Sequence, residues 1–319
     1  AQQVGTWRTY LATYTTYSVA EANNYVYAVA DGTLYRYGKN DKSLKFYSIK
    51  EGLNDTDIKL IAYNSSVKKL LIVSTNGNIA IMDEDDNITN VPFIKNAGGV
   101  QNKTVYSVYF NGETVYIATG FCIWVYKIDK EDTIGTYLLS TAYGVTIRGE
   151  YMYASTAAGI QKAALKDNLF DPNNWQTLNI SSSDFDINEI EIRELCLFEN
   201  NICFMANKSG IYYLNANDEV RTLLKRNDLK GMKLEAGYLI PHSSSTIFLY
   251  ESISKSETKN LGVVNGISSL TNNGDFWVAS GENGLMGYKR KAANQYEVFV
   301  SDLNINGPKR NLPYHMVMH

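Results

Sequence analysis

The sequence predicts an all-β fold, a seven-bladed β-propeller of four-stranded antiparallel blades. Three observations carry that expectation. Six times a short apolar strand runs into a small residue, a glycine and a second apolar strand: VYAVADGTLYRY, LLIVSTNGNIAIM, VYIATGFCIWVY, MYASTAAGIQKA, ICFMANKSGIYYL and FWVASGENGLMGY. The glycines Gly32, Gly77, Gly120, Gly159 and Gly210 recur at roughly 40 to 50 residues, the period of a blade, and Gly284 follows after about twice that interval. Val, Ile, Thr and Tyr crowd the runs, and no repeat places apolar residues at i, i+3, i+4 and i+7, which excludes a helical solenoid.

The elements follow in order. Gly5 to Leu11 (GTWRTYL) leads in, and Trp7 to Tyr10 is expected to pair onto the last blade, closing the ring and removing its open edge. Blade one runs from Thr16 to Ala22 into Asn23-Asn24, through the Gly32 hairpin and the polar turn Gly38 to Lys42, to a fourth strand at Leu44 to Tyr47. Gly, Asn and Asp suit such turns because they accept positive φ cheaply. Blade two uses Ile58 to Tyr63, Asn64 and the acidic turn Asp83 to Asn87. Blade three uses Val105 to Phe110, Asn111-Gly112, the turn Asp129 to Asp132 and the strand Thr136 to Leu139. Blade four is a looser copy, from Val145 to Arg148 into Gly149. Blade five takes Ile192 to Phe198 into Asn200-Asn201, then the turn Asn215 to Asp218. In blade six the central glycine is lost, and Thr246 to Tyr250 (TIFLY) followed by polar Glu251 to Ser256 fills its place. Blade seven runs from Ile267 to Thr271 through Asn272-Asn273-Gly274 and Gly284 to Tyr296 to Val300. Residues 1–306 are thus expected to form one propeller, and residues 307–319 (GPKRNLPY onward) the start of a following domain or the cut end of a longer chain.

Bulk properties exclude several classes. The formal net charge is −3 and no Lys/Arg cluster stands out, so nucleic acid is not an expected partner. No run is long enough for a transmembrane helix, and Ala1-Gln2-Gln3 reads like the end left by a removed export signal. The 24 tyrosines fit half-buried strand positions with wet hydroxyls, a minority at loop tips being free to stack on sugar rings. Cys122, Cys196 and Cys203 are too few for a disulfide framework. Cys196 and Cys203 would lie diagonally on one hairpin if Asn200-Asn201 is its turn, a marginal separation for a bridge, and buried free thiols are the favoured reading.

Catalytic residues are scarce. The three histidines are His242, in a PHSSS segment that reads as a turn, and His315 and His319 at the end of the chain. No nucleophile elbow, phosphate-binding loop, dinucleotide fingerprint or Cys-x-x-Cys pair occurs, so no catalytic or cofactor-binding residue is assigned and no cofactor is expected. Asp83 to Asn87, and Asp184, Asp186 and Asn188, lack the glycine or distal glutamate of a calcium loop and read as solvated connections, so no metal ligand is assigned either. Asp132-Thr133-Ile134 matches a short O-glycosylation pattern of exported Bacteroidetes proteins, with a solvated turn as the favoured reading.

Several words of the chain resemble a known family. GTWRTYL, then Val19 to Ala22, Val26 to Val29, Asp31 to Tyr35 and Gly52 to Ile58 look like the N-terminal propeller of the PorZ family, part of the type IX secretion machinery of Bacteroidetes. Gly52-Leu53 with Ile58 and the apolar run behind it also matches the recurrent signature of two-component-regulator propellers. The resemblance implies an exported, outer-membrane-associated protein with a second propeller and a C-terminal β domain, without enzymatic activity in this domain. It implies other secretion-complex proteins as partners, and lipopolysaccharide or another surface glycan as ligand. The alternative is the periplasmic oligosaccharide-sensing propeller of a hybrid two-component regulator. For either, the expected site is the channel mouth, lined by the segments before the innermost strands: Asn54 to Asp57, Asn102 to Thr104, Ser140 to Tyr143 and Asn188 to Glu191.

Overall fold

The computed structural model describes residues 13–137, 140–180, 191–206, 209–259, 267, 269–272, 274–292 and 295–303. They form seven sheets, each of four antiparallel strands in sequential order, and two short 3-10 turns at Ile49–Glu51 and Pro172–Asn174. The first strand of each blade is innermost: Thr16–Glu21, Ile58–Asn64, Val105–Asn111, Ala142–Arg148, Ile192–Phe198, Leu229–Glu235 and Ser269–Asn272. The last of these packs beside the first, which closes the circle.

Burial explains the sequence pattern strand by strand. The second strands, such as Tyr25–Ala30 and Asn201–Ala206, are sandwiched between neighbouring blades and are buried on both faces, hence their unbroken apolar runs. The outer strands Ile88–Val91 and Val220–Lys225 are mostly half-buried or exposed and correspondingly polar. Apolar packing is distributed over seven clusters, each shared by two successive blades. The seam between blades seven and one is one of these, with Val19, Val26, Tyr35 and Tyr37 against Trp277, Leu285 and Val300. Tyr37 and Trp277 approach to 5.6 Å between ring centroids, and Thr16 and Gly281 exchange two backbone hydrogen bonds of 2.9 Å.

Several expectations need correction. Gly32, Gly77, Gly159, Gly210 and Gly284 do have positive φ, but Gly120 does not. Gly120 is required by close approach instead, since a Cβ there would lie 2.2 Å from Asn102 Cγ and 2.5 Å from the Asn102 carbonyl oxygen. The turn of the inner hairpin of blade five is Glu199-Asn200, not Asn200-Asn201, so Cys196 stands directly opposite Cys203 and not diagonal to it. PHSSS is not a turn: Pro241 and His242 lie inside the strand Tyr238–Ser243, because the turn without glycine starts at Ser243, whose Oγ accepts from the backbone N–H of Thr246 at 3.0 Å. Asp132-Thr133-Ile134 likewise opens the strand Asp132–Tyr137, with Thr133 paired to Tyr126 and accepting a hydrogen bond from Trp124 Nε1 at 3.3 Å. Asp83 and Asn87 do form a turn, but its neighbour Asp86 reaches back to blade one, accepting from Arg36, Lys45 and Tyr47 at 2.6 Å each. The expected pairing of Trp7 to Tyr10, the Asp184 to Asn188 segment, His315, His319 and residues 307–319 lie outside the described residues.

Candidate site at the channel mouth

Six of the seven innermost strands share one irregularity. The ladder to the second strand skips one residue near the start of each, leaving Tyr17, Lys59, Tyr106, Tyr143, Arg193 and Lys230 unpaired. A bulge of this kind bends the strand and re-aims the extra side chain. The inner strand of blade seven pairs without a shift over Ser269–Asn272. Because the innermost strands stand side by side around the axis, the bulged residues form a belt at the end where the chain enters each blade.

The belt is connected from blade to blade. Tyr17 donates its hydroxyl hydrogen to the carbonyl of Ile58, the residue before Lys59, and accepts from the Gly32 N–H at 3.1 Å. Burial pushes the Tyr17 phenol up to about 12, so it stays a donor at any physiological pH. Lys59 Nζ donates to the carbonyl of Val105 at 2.8 Å, the residue before Tyr106, and lies 5.4 Å from the centre of the Tyr106 ring. Burial pulls the Lys59 ammonium down from its ordinary range. Tyr106 meets Tyr143 edge to face, 5.0 Å apart at 81°. Arg193 pairs with Glu191 at 2.6 Å, and the guanidinium is held charged first by Glu191 and then by Tyr143 and Tyr106.

The loops named from sequence supply the rim of this belt. Asn102 Nδ2 donates to the Tyr106 hydroxyl at 3.2 Å, while its Oδ1 accepts from the Thr104 N–H at 3.1 Å. Thr141 fixes the next loop through a 2.8 Å bond to the Gly120 carbonyl. Asp55 is held by Lys95 at 3.1 Å and Asp57 by Thr75 at 2.6 Å, so the segment Asn54 to Asp57 braces the rim. In the fourth segment only Glu191 is described. Of the bulged residues only Tyr143, at the end of the segment Ser140 to Tyr143, was named from the sequence. Aligning the repeats would have shown them, as TYS, IKL, VYS, AYG, IRE and LKG place a long Tyr, Lys or Arg at the same second position.

Chemically the belt and its rim offer two aromatic faces, cations and one Arg193–Glu191 ion pair, with backbone held by the bulges. His242 takes no part in it. Its ring is buried beside Gly231, where a Cβ would come within 2.8 Å of Nε2, and burial pulls its pKa down to about 4. Among the described residues no group of three or more His, Cys, Asp or Glu is placed to hold a metal ion, and no helix is long and apolar enough to cross a membrane.

Comparison with known proteins shows what the chain resembles. Residues 26–176 match the type IX secretion system family described as the PorZ N-terminal β-propeller domain. A solved structure of PorZ from Porphyromonas gingivalis, described as an essential bacterial surface component of the type IX secretion system, superposes with a TM-score of 0.84 at 25% identity. The alignment covers 96% of this chain and 41% of that one, so the chain spans well under half of the PorZ structure. The extracellular domain of a putative hybrid two-component system from B. thetaiotaomicron has the same fold, with a TM-score of 0.64 at 11% identity over 86% of this chain and 40% of its own. So does the WD40 propeller of Doa1, with a TM-score of 0.66 at 15% identity over 90% and 97%. No curated protein sequence matches. In sequence over residues 26–176 and in fold around the whole ring, this chain is similar to the N-terminal β-propeller domain of PorZ.

Proposed function

We propose that this propeller is a non-catalytic binding domain of an exported, outer-membrane-associated PorZ-like protein, which engages a surface glycan such as lipopolysaccharide within the type IX secretion attachment machinery. The observation that carries the reading is the row Lys59, Tyr106, Tyr143, Arg193 and Glu191 at the channel mouth, in contact from Lys59 to Tyr143 and again from Arg193 to Glu191. A sugar ring presents C–H groups that pack on aromatic faces and hydroxyls that bind paired guanidinium and carboxylate groups, and here both sit on bulged backbone side by side. Each inner strand is anchored by its neighbours, so the groups are preorganised and little ordering entropy opposes binding. The family match and the surface location given for PorZ support export and secretion-complex partners.

The test is calorimetric titration of the domain with lipopolysaccharide O-chain oligosaccharides, alongside Y106A, Y143A and R193A. Binding that drops at least tenfold in each variant, with an unchanged melting temperature, is the expected result. Glycan binding that none of the three affects removes the mouth as the site. No binding to any glycan leaves the domain a protein-protein module.

A further inference from the structure

The inner hairpin of blade five pairs Ile192–Phe198 with Asn201–Ala206. Its turn residues Glu199 and Asn200 have φ of 47° and 61°, the conformation of a two-residue hairpin turn that follows the strand twist. Phe198 and Asn201 flank the turn, Leu197 and Ile202 come next, and Cys196 and Cys203 form the third pair. Alternation from the turn makes the third pair, like the first, a hydrogen-bonded one, with Cα atoms about 5.5 Å apart. That separation falls where disulfides are most common, about 5.5 to 6 Å. Directly opposed residues project to the same face of the sheet, so the two thiols sit together in the apolar joint between blades five and six, near Met205, Met232 and Phe248. Both are free thiols, Cys203 fully buried and Cys196 half-buried. Cys122 lies apart, in the joint between blades two and three, with Thr119 Oγ1 3.6 Å from its sulfur.

We propose that Cys196 and Cys203 form a dithiol–disulfide couple, closed across the inner hairpin by exchange with a disulfide oxidant. Cys196, the more accessible, loses its proton and its thiolate attacks one sulfur of the oxidant RS–SR. The RS–SR bond breaks, a mixed disulfide forms on Cys196, and the released thiolate takes up a proton to leave as RSH. Cys203 then loses its proton and attacks Cys196 Sγ, expelling the second thiolate, which is protonated in turn. Two protein thiols are oxidised, one oxidant disulfide is reduced to two thiols, and the two protons balance. Oxidants of this class belong to compartments outside the reducing cytosol. The bond ties down the strand that carries Arg193, three residues away, and so links the redox state of this joint to the channel mouth. The neighbouring Cys203 thiol, and then burial, push the Cys196 thiol up, so the exchange runs faster as the medium becomes alkaline.

The full 319-residue chain is incubated with oxidised glutathione at mildly alkaline pH, quenched in acid, unfolded, alkylated with iodoacetamide and measured by mass spectrometry with peptide mapping. The expected product has lost two hydrogens, takes up one alkyl group at Cys122, and yields a peptide pair joined through Cys196 and Cys203. C122S, which keeps both partners, is expected to form the same bond. C203S is expected to stop at a glutathione adduct on Cys196. Three alkylated cysteines after prolonged incubation, a stable glutathione adduct on Cys196 of the unsubstituted chain, or a bond that includes Cys122 would each overturn the proposal.

Discussion

Asp218 of blade five grips Arg148 of blade four, its Oδ1 accepting from Arg148 Nη2 while its Oδ2 accepts from Lys162 at 2.7 Å. The Tyr153 hydroxyl also donates to Asp218, at 3.1 Å, and Arg148 Nη1 donates to the Asn215 carbonyl at 2.8 Å. The Arg148 side chain is only 8% exposed, so removing the carboxylate strands a buried cation. D218A is therefore expected to lose about 3 kcal/mol of stability, as for other buried pairs broken from one side. The exposed pair Lys255–Glu251 serves as control, E251A leaving denaturant midpoints unchanged. Equal midpoints for D218A and the unsubstituted protein would show that the grip is not stabilising.

Gly120 tests the close approach at the mouth. G120A is expected to cost about 2 kcal/mol, the usual scale of overpacking in a tight joint. N102A should not rescue it, because the Asn102 backbone oxygen would still lie 2.5 Å from the added carbon. Chemical denaturation of the single and double variants decides; full rescue would locate the clash in the Asn102 side chain alone.

Glu235 ends the inner strand of blade six, close to Glu21 of blade one. Burial pushes its carboxyl up to about 7, Lys233 pulls it down, and Glu21 adds to the rise. A carboxyl whose pKa is higher folded than unfolded binds its proton more tightly in the native state. Its contribution is fully present below the ordinary value of 4.5 and is lost as pH rises through 7. E235Q should keep the neutral form at all pH, so its melting temperature is expected to fall less between pH 5 and 8 than that of the unsubstituted protein. Parallel melting profiles for the two proteins would contradict this.

His242 carries the opposite sign. Burial lowers its pKa to about 4 from 6.5, so the ring stays neutral through the physiological range and its stabilising contribution is lost as pH falls through 4. The imidazole carbon proton in an NMR titration is expected to show no shift between pH 8 and 5. A midpoint near 6.5 would mean that the ring is solvated and free to exchange protons.

The ring and its blade count were legible because each blade repeats the same turn chemistry, and even the glycine-free blade announced itself through Thr246 to Tyr250. What escaped was pairing detail. The Glu199-Asn200 turn lies one residue earlier than the Asn-Asn pair suggested, because αL is open to Asn and, at a twist-matched hairpin, was here taken by Glu as well. His242 was misplaced since PHSSS has turn composition, yet its first two residues are held in a strand by burial. The mouth was legible only as a set of loops. Its side chains sit on bulges, and a bulge is a property of register between two strands that no single strand displays.

The seam where Thr16 meets Gly281 joins the first blade to the last, and its consequence is temporal. Every other joint binds blades adjacent in sequence and can form as soon as both have left the ribosome or a translocation pore. This one requires the closure of a loop spanning most of the chain, the slowest kind of contact to make. Until Trp277 arrives to cover Tyr37, the apolar face of blade one stays wet. A chain threaded across a membrane N-terminus first thus crosses as an open arc with one sticky end, and becomes a ring only after its seventh blade emerges.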